Sequence, residues 1–186
     1  MSENNKAEHP QTMSDAVGAV MCSTPAVSPI IFLDVDGVLN SHQWFEKQEK
    51  SGVLETIEGH IDPDAVRRLN TIVERTGARV VVSSTWRNGT LYDVLIKMLR
   101  QHGFTGEIIG KTGRRDCNDC LRGNQILRWM KDNVPDYHKF DRYVILDDDG
   151  DMLYWQRNNF IQTSSDKGGL TDKHMERAID ILTLEG

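Results

Sequence analysis

Three short apolar runs, each running straight into polar residues, set the rhythm of this chain. Ile30-Ile31-Phe32-Leu33 leads into Asp34 and Asp36, Arg79-Val80-Val81-Val82 into Ser83 and Ser84, and Tyr143-Val144-Ile145-Leu146 into Asp147, Asp148 and Asp149. Continuous apolar runs of this length, rich in β-branched residues, predict strands buried on both faces of a parallel sheet. Gly106 to Ile109 and Phe160 to Thr163 read as two further short strands. Between them lie helical patterns. Asp62-Pro63 is a helix start, with Asp as N-cap and Pro in the first turn; Ala65, Val66, Leu69, Ile72 and Val73 recur at helical spacing, and Gly77 supplies the stop. Leu91 to His102, Asn124 to Asp132 and Thr171 to Leu184 predict three more helices. Strands alternating with helices imply right-handed crossovers. The expected fold class is therefore α/β: a three-layer α/β/α Rossmann-like sandwich with a central parallel sheet and a minimal or absent cap. In such sheets ligands bind beyond the carboxyl ends of the strands, where all three strong runs end in potentially reactive groups.

Composition changes this picture little. A chain of 186 residues, 38% hydrophobic and 27% charged, fits one globular domain with a sizeable core, expected over residues 29–186. Residues 1–28, rich in small polar types and lacking both a basic start and an apolar core, read as a disordered N-terminal tail rather than a secretory signal. Met13 and Met21 are alternative starts that sequence alone does not decide between. No apolar stretch approaches the roughly 20 residues of a membrane span, so the expected protein is soluble, with no membrane partner and no obligate protein partner. The three cysteines, Cys22, Cys117 and Cys120, lack disulfide-framework spacing, which fits a reducing cytoplasm. A net charge of -6 argues against a broad nucleic-acid-binding face but leaves room for a local basic patch. The polar stretch Ser41 to His60 has weak apolar periodicity and reads as a loop or small lid near the site.

Chemistry concentrates after the first run. Alternation along an extended chain points Asp34 and Asp36 to one side and Val35 to the other, and Gly37 lets the chain turn away at low steric cost. Two like charges this close call for a shared proton or a cation with hard oxygen ligands, of which Mg2+ is the default. Alone, such a pair is equally a turn or helix cap. Three consecutive acids after a buried strand, Asp147 to Asp149, are costly without a cation.

Asp34-Val35-Asp36-Gly37-Val38-Leu39-Asn40 resembles the first motif of the haloacid dehalogenase (HAD) superfamily in its phosphatase branch. The resemblance implies that Asp34 is the nucleophile that becomes phosphorylated and Asp36 the general acid and base. Val82-Ser83-Ser84-Thr85-Trp86-Arg87 resembles the second motif, whose strand-end hydroxyl binds the transferred phosphoryl group; Ser83 is the first choice and Ser84 its neighbour, both also suited to simple capping. Arg87 can clamp a phosphate with its planar fork or pair with a surface acid. The third motif is a cation near the start of the helix before the last acidic strand, a place Arg122 fits best, with Lys111, Arg114 and Arg115 as competitors. Asp147-Asp148-Asp149-Gly150-Asp151 resembles the fourth motif, implying metal ligands at Asp147 and Asp148 besides Asp34 and Asp36, with Asp151 behind them and Asp149 in a turn. Together with Ser83 to Arg87 and the pair Arg122-Gly123, this run is similar to the HAD domains of RNA-repair proteins, and more distantly to the 3'-phosphatase half of bacteriophage polynucleotide kinase. No kinase or ligase signature accompanies it.

The implied activity is a Mg2+-dependent phosphomonoesterase working through an aspartyl phosphate, on nucleotides or on nucleic-acid 3'-phosphate ends. Lys111, Arg114, Arg115 and Arg122 fall within twelve residues of an otherwise acidic chain, a segment able to hold a nucleic-acid backbone. A small-molecule phosphatase, a phospho-accepting signalling domain and an inactive binding module on the same fold are the rivals. Gly110-Lys111-Thr112 lacks the upstream glycine of a P-loop, and Cys117 and Cys120 lack the second ligand pair of a zinc site.

Overall fold

The computed structural model of the chain describes residues 27–52, 57–113 and 121–184. The tail reading, apart from residues 27 and 28, and the readings of Cys22, Arg114, Arg115, Cys117 and Cys120 lie outside these described residues. Five strands, β1 (Ile30–Leu33), β2 (Arg79–Val82), β3 (Ile108–Lys111), β4 (Tyr143–Asp147) and β5 (Phe160–Gln162), form one sheet in the order β3-β2-β1-β4-β5. All four pairings are parallel. The expected α/β/α sandwich is the observed fold.

Alternation along β1 divides the core in two. Ile31 and Leu33 join Leu69 and Ile72 of α2 (Pro63–Thr76), Leu95 and Leu99 of α3 (Leu91–Gln101), and Ile179 and Leu182 of α5 (Asp172–Thr183). Ile30 and Phe32 pack on the opposite face against Ile126 and Met130 of α4 (Arg122–Asn133). Helix α2 is bounded as its sequence dictates: the Asp62 side chain accepts from Asp64 N at 2.9 Å, and Gly77, at φ 67°, donates its N–H to Val73 O at 2.8 Å.

Three stretches differ from the sequence expectation by more than one residue. Ser41 to His60 is not simply a loop: α1 covers His42–Lys50 and a 3-10 turn covers Ile57–His60. Helix α1 buries no residue, so no apolar stripe announces it. Instead Ser41 caps it, accepting from Trp44 N at 3.1 Å, and polar ties hold it down: His42 Nδ1 lies 2.7 Å from Asp166 Oδ1, and Trp44 Nε1 donates to Gly59 O at 2.8 Å. Strand β3 begins two residues later than expected, at Ile108. Helix α4 begins at Arg122 rather than Asn124, because Asp151 caps it from another part of the chain, taking Arg122 N at 2.9 Å on its side chain and Gly123 N at 3.3 Å on its carbonyl.

Register decides what meets at the sheet's carboxyl edge. Leu33 pairs with Val82 on one side and Leu146 on the other, so Asp34, Ser83 and Asp147 stand in the next row. The strand order reverses direction between β1 and β4, the switch point at which open α/β sheets leave a crevice. Among the described residues no helix is long and apolar enough to cross a membrane.

Candidate active site

Asp34 is only 6% exposed and sits at the centre of the row. Its Oδ1 accepts from Val35 N at 2.7 Å, its Oδ2 lies 3.3 Å from Arg122 Nη2, and the neighbouring Ser84 hydroxyl favours its ionised form. Arg122, 3% exposed, also brings Nε within 3.0 Å of Asp147 Oδ2, an ion pair whose angle falls outside hydrogen-bonding geometry. One buried guanidinium is thus shared by two buried carboxylates from neighbouring strands. Its Nη1 has no hydrogen-bond partner among the described residues.

Asp34, Asp147 and Asp148 bring carboxylate oxygens within 4.8 Å of one another. Burial raises the Asp34 carboxyl above its ordinary range, against the opposing pull of Arg122, Ser84 and Val35 N–H. Burial, reinforced by the neighbouring Asp34, pushes Asp147 up to about 8. Asp148 is raised by burial and then by Asp34 and Asp149. Three carboxylates facing one guanidinium leave an excess of two negative charges when all are ionised, and Asp147 Oδ2 is buried without a hydrogen bond. A divalent cation with oxygen ligands fits this donor set, and Asp34, Asp147 and Asp148 are the residues that would hold it.

Gly37 makes room for the third of these acids. At φ +69° it sits where L side chains are strained, and a Cβ built on it would fall 2.2 Å from Asp148 Oδ2. Its carbonyl accepts from the buried Thr163 hydroxyl at 2.7 Å.

Other expected site residues take different places. Asp36 does not join the carboxylate group as a side-chain ligand: it is exposed, its Oδ2 accepting from Trp86 Nε1 and its Oδ1 from Asn40 Nδ2, both at 3.0 Å. Of the adjacent hydroxyls, Ser84 favours the ionised form of Asp34, while Ser83, 1% exposed, accepts from Thr112 Oγ1 at 3.4 Å. Asp149 is exposed and contributes its backbone N–H to Asp147 Oδ1 at 3.0 Å. Asp151 lies behind Arg122 as the cap of α4.

Arg87 is no free phosphate fork. It is 4% exposed and spends its guanidinium inside the protein, donating to Gly113 O at 3.2 Å, to Gln125 Oε1 at 2.8 Å and to Ser84 O. Lys111 is engaged as well, with Nζ 3.0 Å from Arg87 O and 4.3 Å from the centroid of the Tyr92 ring. Both cations brace the loop after β2. Arg87→Lys is therefore expected to lower the unfolding free energy by about 2–3 kcal/mol, since one nitrogen cannot span acceptors that three separate guanidinium nitrogens reach. Urea denaturation reads this. Unchanged stability with a raised KM would instead make Arg87 a substrate ligand.

Sequence reasoning passed over Asn40 and Trp86, although both stand within its motifs. Asn40 Oδ1 also accepts Gly37 N at 2.9 Å, so one side chain ties the turn to Asp36. It also passed over a cleft of about 530 Å³ that opens beside Asp148 between Thr163, Ser165 and His42.

This sheet, with carboxylates and a shared arginine at its switch point, defines a haloacid dehalogenase-type domain, the class of phosphatase-type hydrolases. The chain belongs to the family described as the HAD domain in Swiss Army Knife RNA repair proteins, whose model matches residues 30–175. No curated protein and no solved structure matches the chain significantly.

Proposed function

We propose that this protein hydrolyses phosphomonoesters through a covalent phosphate on Asp34, with Asp36 as acid and base. The observation that carries the reading is the buried Arg122 guanidinium, in contact with Asp34 and Asp147 and with Nη1 still free of a partner among the described residues. That is a clamp with a donor in reserve for a phosphoryl oxygen.

An oxygen of Asp34 attacks phosphorus in line, the bond to the leaving oxygen breaks, and Asp36 gives that oxygen its proton. Water then attacks the aspartyl phosphate, Asp36 takes the water's proton, and Asp34 is released with inorganic phosphate. Magnesium, held by Asp34, Asp147 and Asp148, would supply positive charge to the phosphoryl oxygens. Asp36 suits its role because it lies outside the acidic group and opens to solvent. The same placement disfavours a long-lived phospho-accepting domain, which has no use for an acid beside its phosphoaspartate. General acid catalysis contributes on the order of 10²–10⁴-fold, leaving the greater share to charge and positioning.

The substrate we favour is a nucleic-acid 3'-phosphate end, on the strength of the family's description. A small-molecule phosphate is the second reading, favoured by the net charge of -6 and by the engagement of Lys111 with Tyr92 and Arg87. The test is phosphate release with magnesium across aryl phosphates, nucleotides, sugar phosphates and 3'- or 5'-phosphorylated oligonucleotides. We expect turnover to vanish with chelator and return with magnesium. Asp36→Asn should lose more on alkyl than on activated aryl phosphates; equal losses would make Asp36 merely structural.

A further inference from the structure

We infer that Trp86 is the positioning residue for Asp36: its indole N–H holds the acid on the β2 side of the site, apart from the carboxylates of Asp34, Asp147 and Asp148. The inference rests on the phosphatase reading and concerns how its proton donor is aimed. Asp36 is exposed, with none of the packing that fixes Asp34 or Asp147. An unheld aspartate at a turn samples several rotamers. Here each oxygen has one neutral donor, Trp86 Nε1 on Oδ2 and Asn40 Nδ2 on Oδ1. An indole N–H only donates and carries no charge. It fixes direction through geometry alone, one N–H on one oxygen.

Trp86 is itself fixed. It packs against the larger core cluster, its ring meets His60 edge-on at 6.0 Å, and His60 in turn meets Phe45 of α1 at 5.6 Å. Its backbone N–H donates to Ser84 Oγ at 3.3 Å, the hydroxyl that favours the ionised form of Asp34. Residues 84 and 86 of one loop therefore reach the proposed nucleophile and the proposed acid. Arg87 anchors that loop through Gly113, Ser84 and Gln125. The spacing between Asp34 and Asp36 in the working site is set by this loop as well as by the two residues' closeness in sequence.

The test compares the parent with Trp86→Phe, Asp36→Asn and the double variant on an alkyl phosphate and an activated aryl phosphate. Trp86→Phe keeps an aromatic ring and deletes the N–H; benzothienylalanine at position 86, with sulfur in place of N–H, does so at constant shape should the phenylalanine variant fold poorly. We expect kcat on the alkyl phosphate to fall roughly 10- to 100-fold, on the aryl phosphate only a few-fold, and the loss to disappear in the Asp36→Asn background. Losses that are equal on both substrates, or that multiply in the double variant, overturn the inference and leave Trp86 a packing residue. A parent inactive on every phosphomonoester overturns the phosphatase reading itself, which is a separate result.

Discussion

Asp34→Asn is expected to abolish turnover while the fold stands, with phosphate release reduced on the order of 10⁴–10⁶-fold, as for loss of a covalent nucleophile. Asparagine has nearly the shape of aspartate. Its amide oxygen can still take one of the two contacts that the Asp34 oxygens make separately, from Val35 N on Oδ1 at 2.7 Å or from Arg122 Nη2 on Oδ2 at 3.3 Å. It lacks the carboxylate that, in the proposed mechanism, would form the bond to phosphorus. Because burial raises the Asp34 carboxyl above its usual range, removing its charge should not weaken the metal-free protein. The measurements are an acid-quench assay for phosphoprotein and a thermal melt. Residual turnover above a few per cent of the parent rate would sink the mechanism, and a lost melting transition would leave the change in rate uninterpretable without a second substitution such as Asp34→Ala.

The second large effect is a pair of stability changes of opposite sign. Arg122→Met strips the counter-charge from Asp34 and Asp147, which it contacts at 3.3 and 3.0 Å. Where these carboxyls are ionised, leaving them buried and unpaired costs about 3–5 kcal/mol, or roughly 10 °C for a chain of this size. Asp147→Asn should do the reverse in chelator. The unfolded chain gives up this proton near pH 3.8, whereas the folded protein holds it until about pH 8. A folded-state value raised in this way costs stability as pH rises through that window. Metal-free parent protein should thus melt lower near neutrality than near pH 5, and Asp147→Asn should show less of that decline. Added magnesium should stabilise the parent and leave Asp147→Asn nearly unmoved. A parent whose melting ignores both pH and magnesium contradicts the account of the carboxylate group.

Much of this was legible because the signals are local. Apolar runs fixed the three central strands, and the Asp62-Pro63 start and Gly77 stop fixed α2, since caps act within a few residues. The acids fell together because in-register parallel strands carry any strand-end residue into the same row. What escaped depends on distant partners. Helix α1 has no apolar stripe and is held by Asp166 and Gly59. The start of α4 is capped by Asp151. An arginine has the same letter whether it reaches for substrate or turns inward, and only the acceptors at Gly113, Ser84 and Gln125 identify Arg87 as a brace. The choice between Ser83 and Ser84 depends on the path the chain takes beyond the last sheet pairing, which periodicity cannot fix.

Gly37 holds a position that a library of substitutions should find closed. Its backbone, at φ +69°, excludes most side chains for one reason, and the Asp148 carboxylate, 2.2 Å from where a Cβ would stand, excludes them for another. Relieving the strain alone would not open the position, because the incoming atom must still evict an acid. The reach of Asp148 into the site is therefore gauged by a side chain that is missing: a methyl group on the neighbouring loop would push this acid away from Asp34 and Asp147 while leaving every carboxylate in the sequence intact.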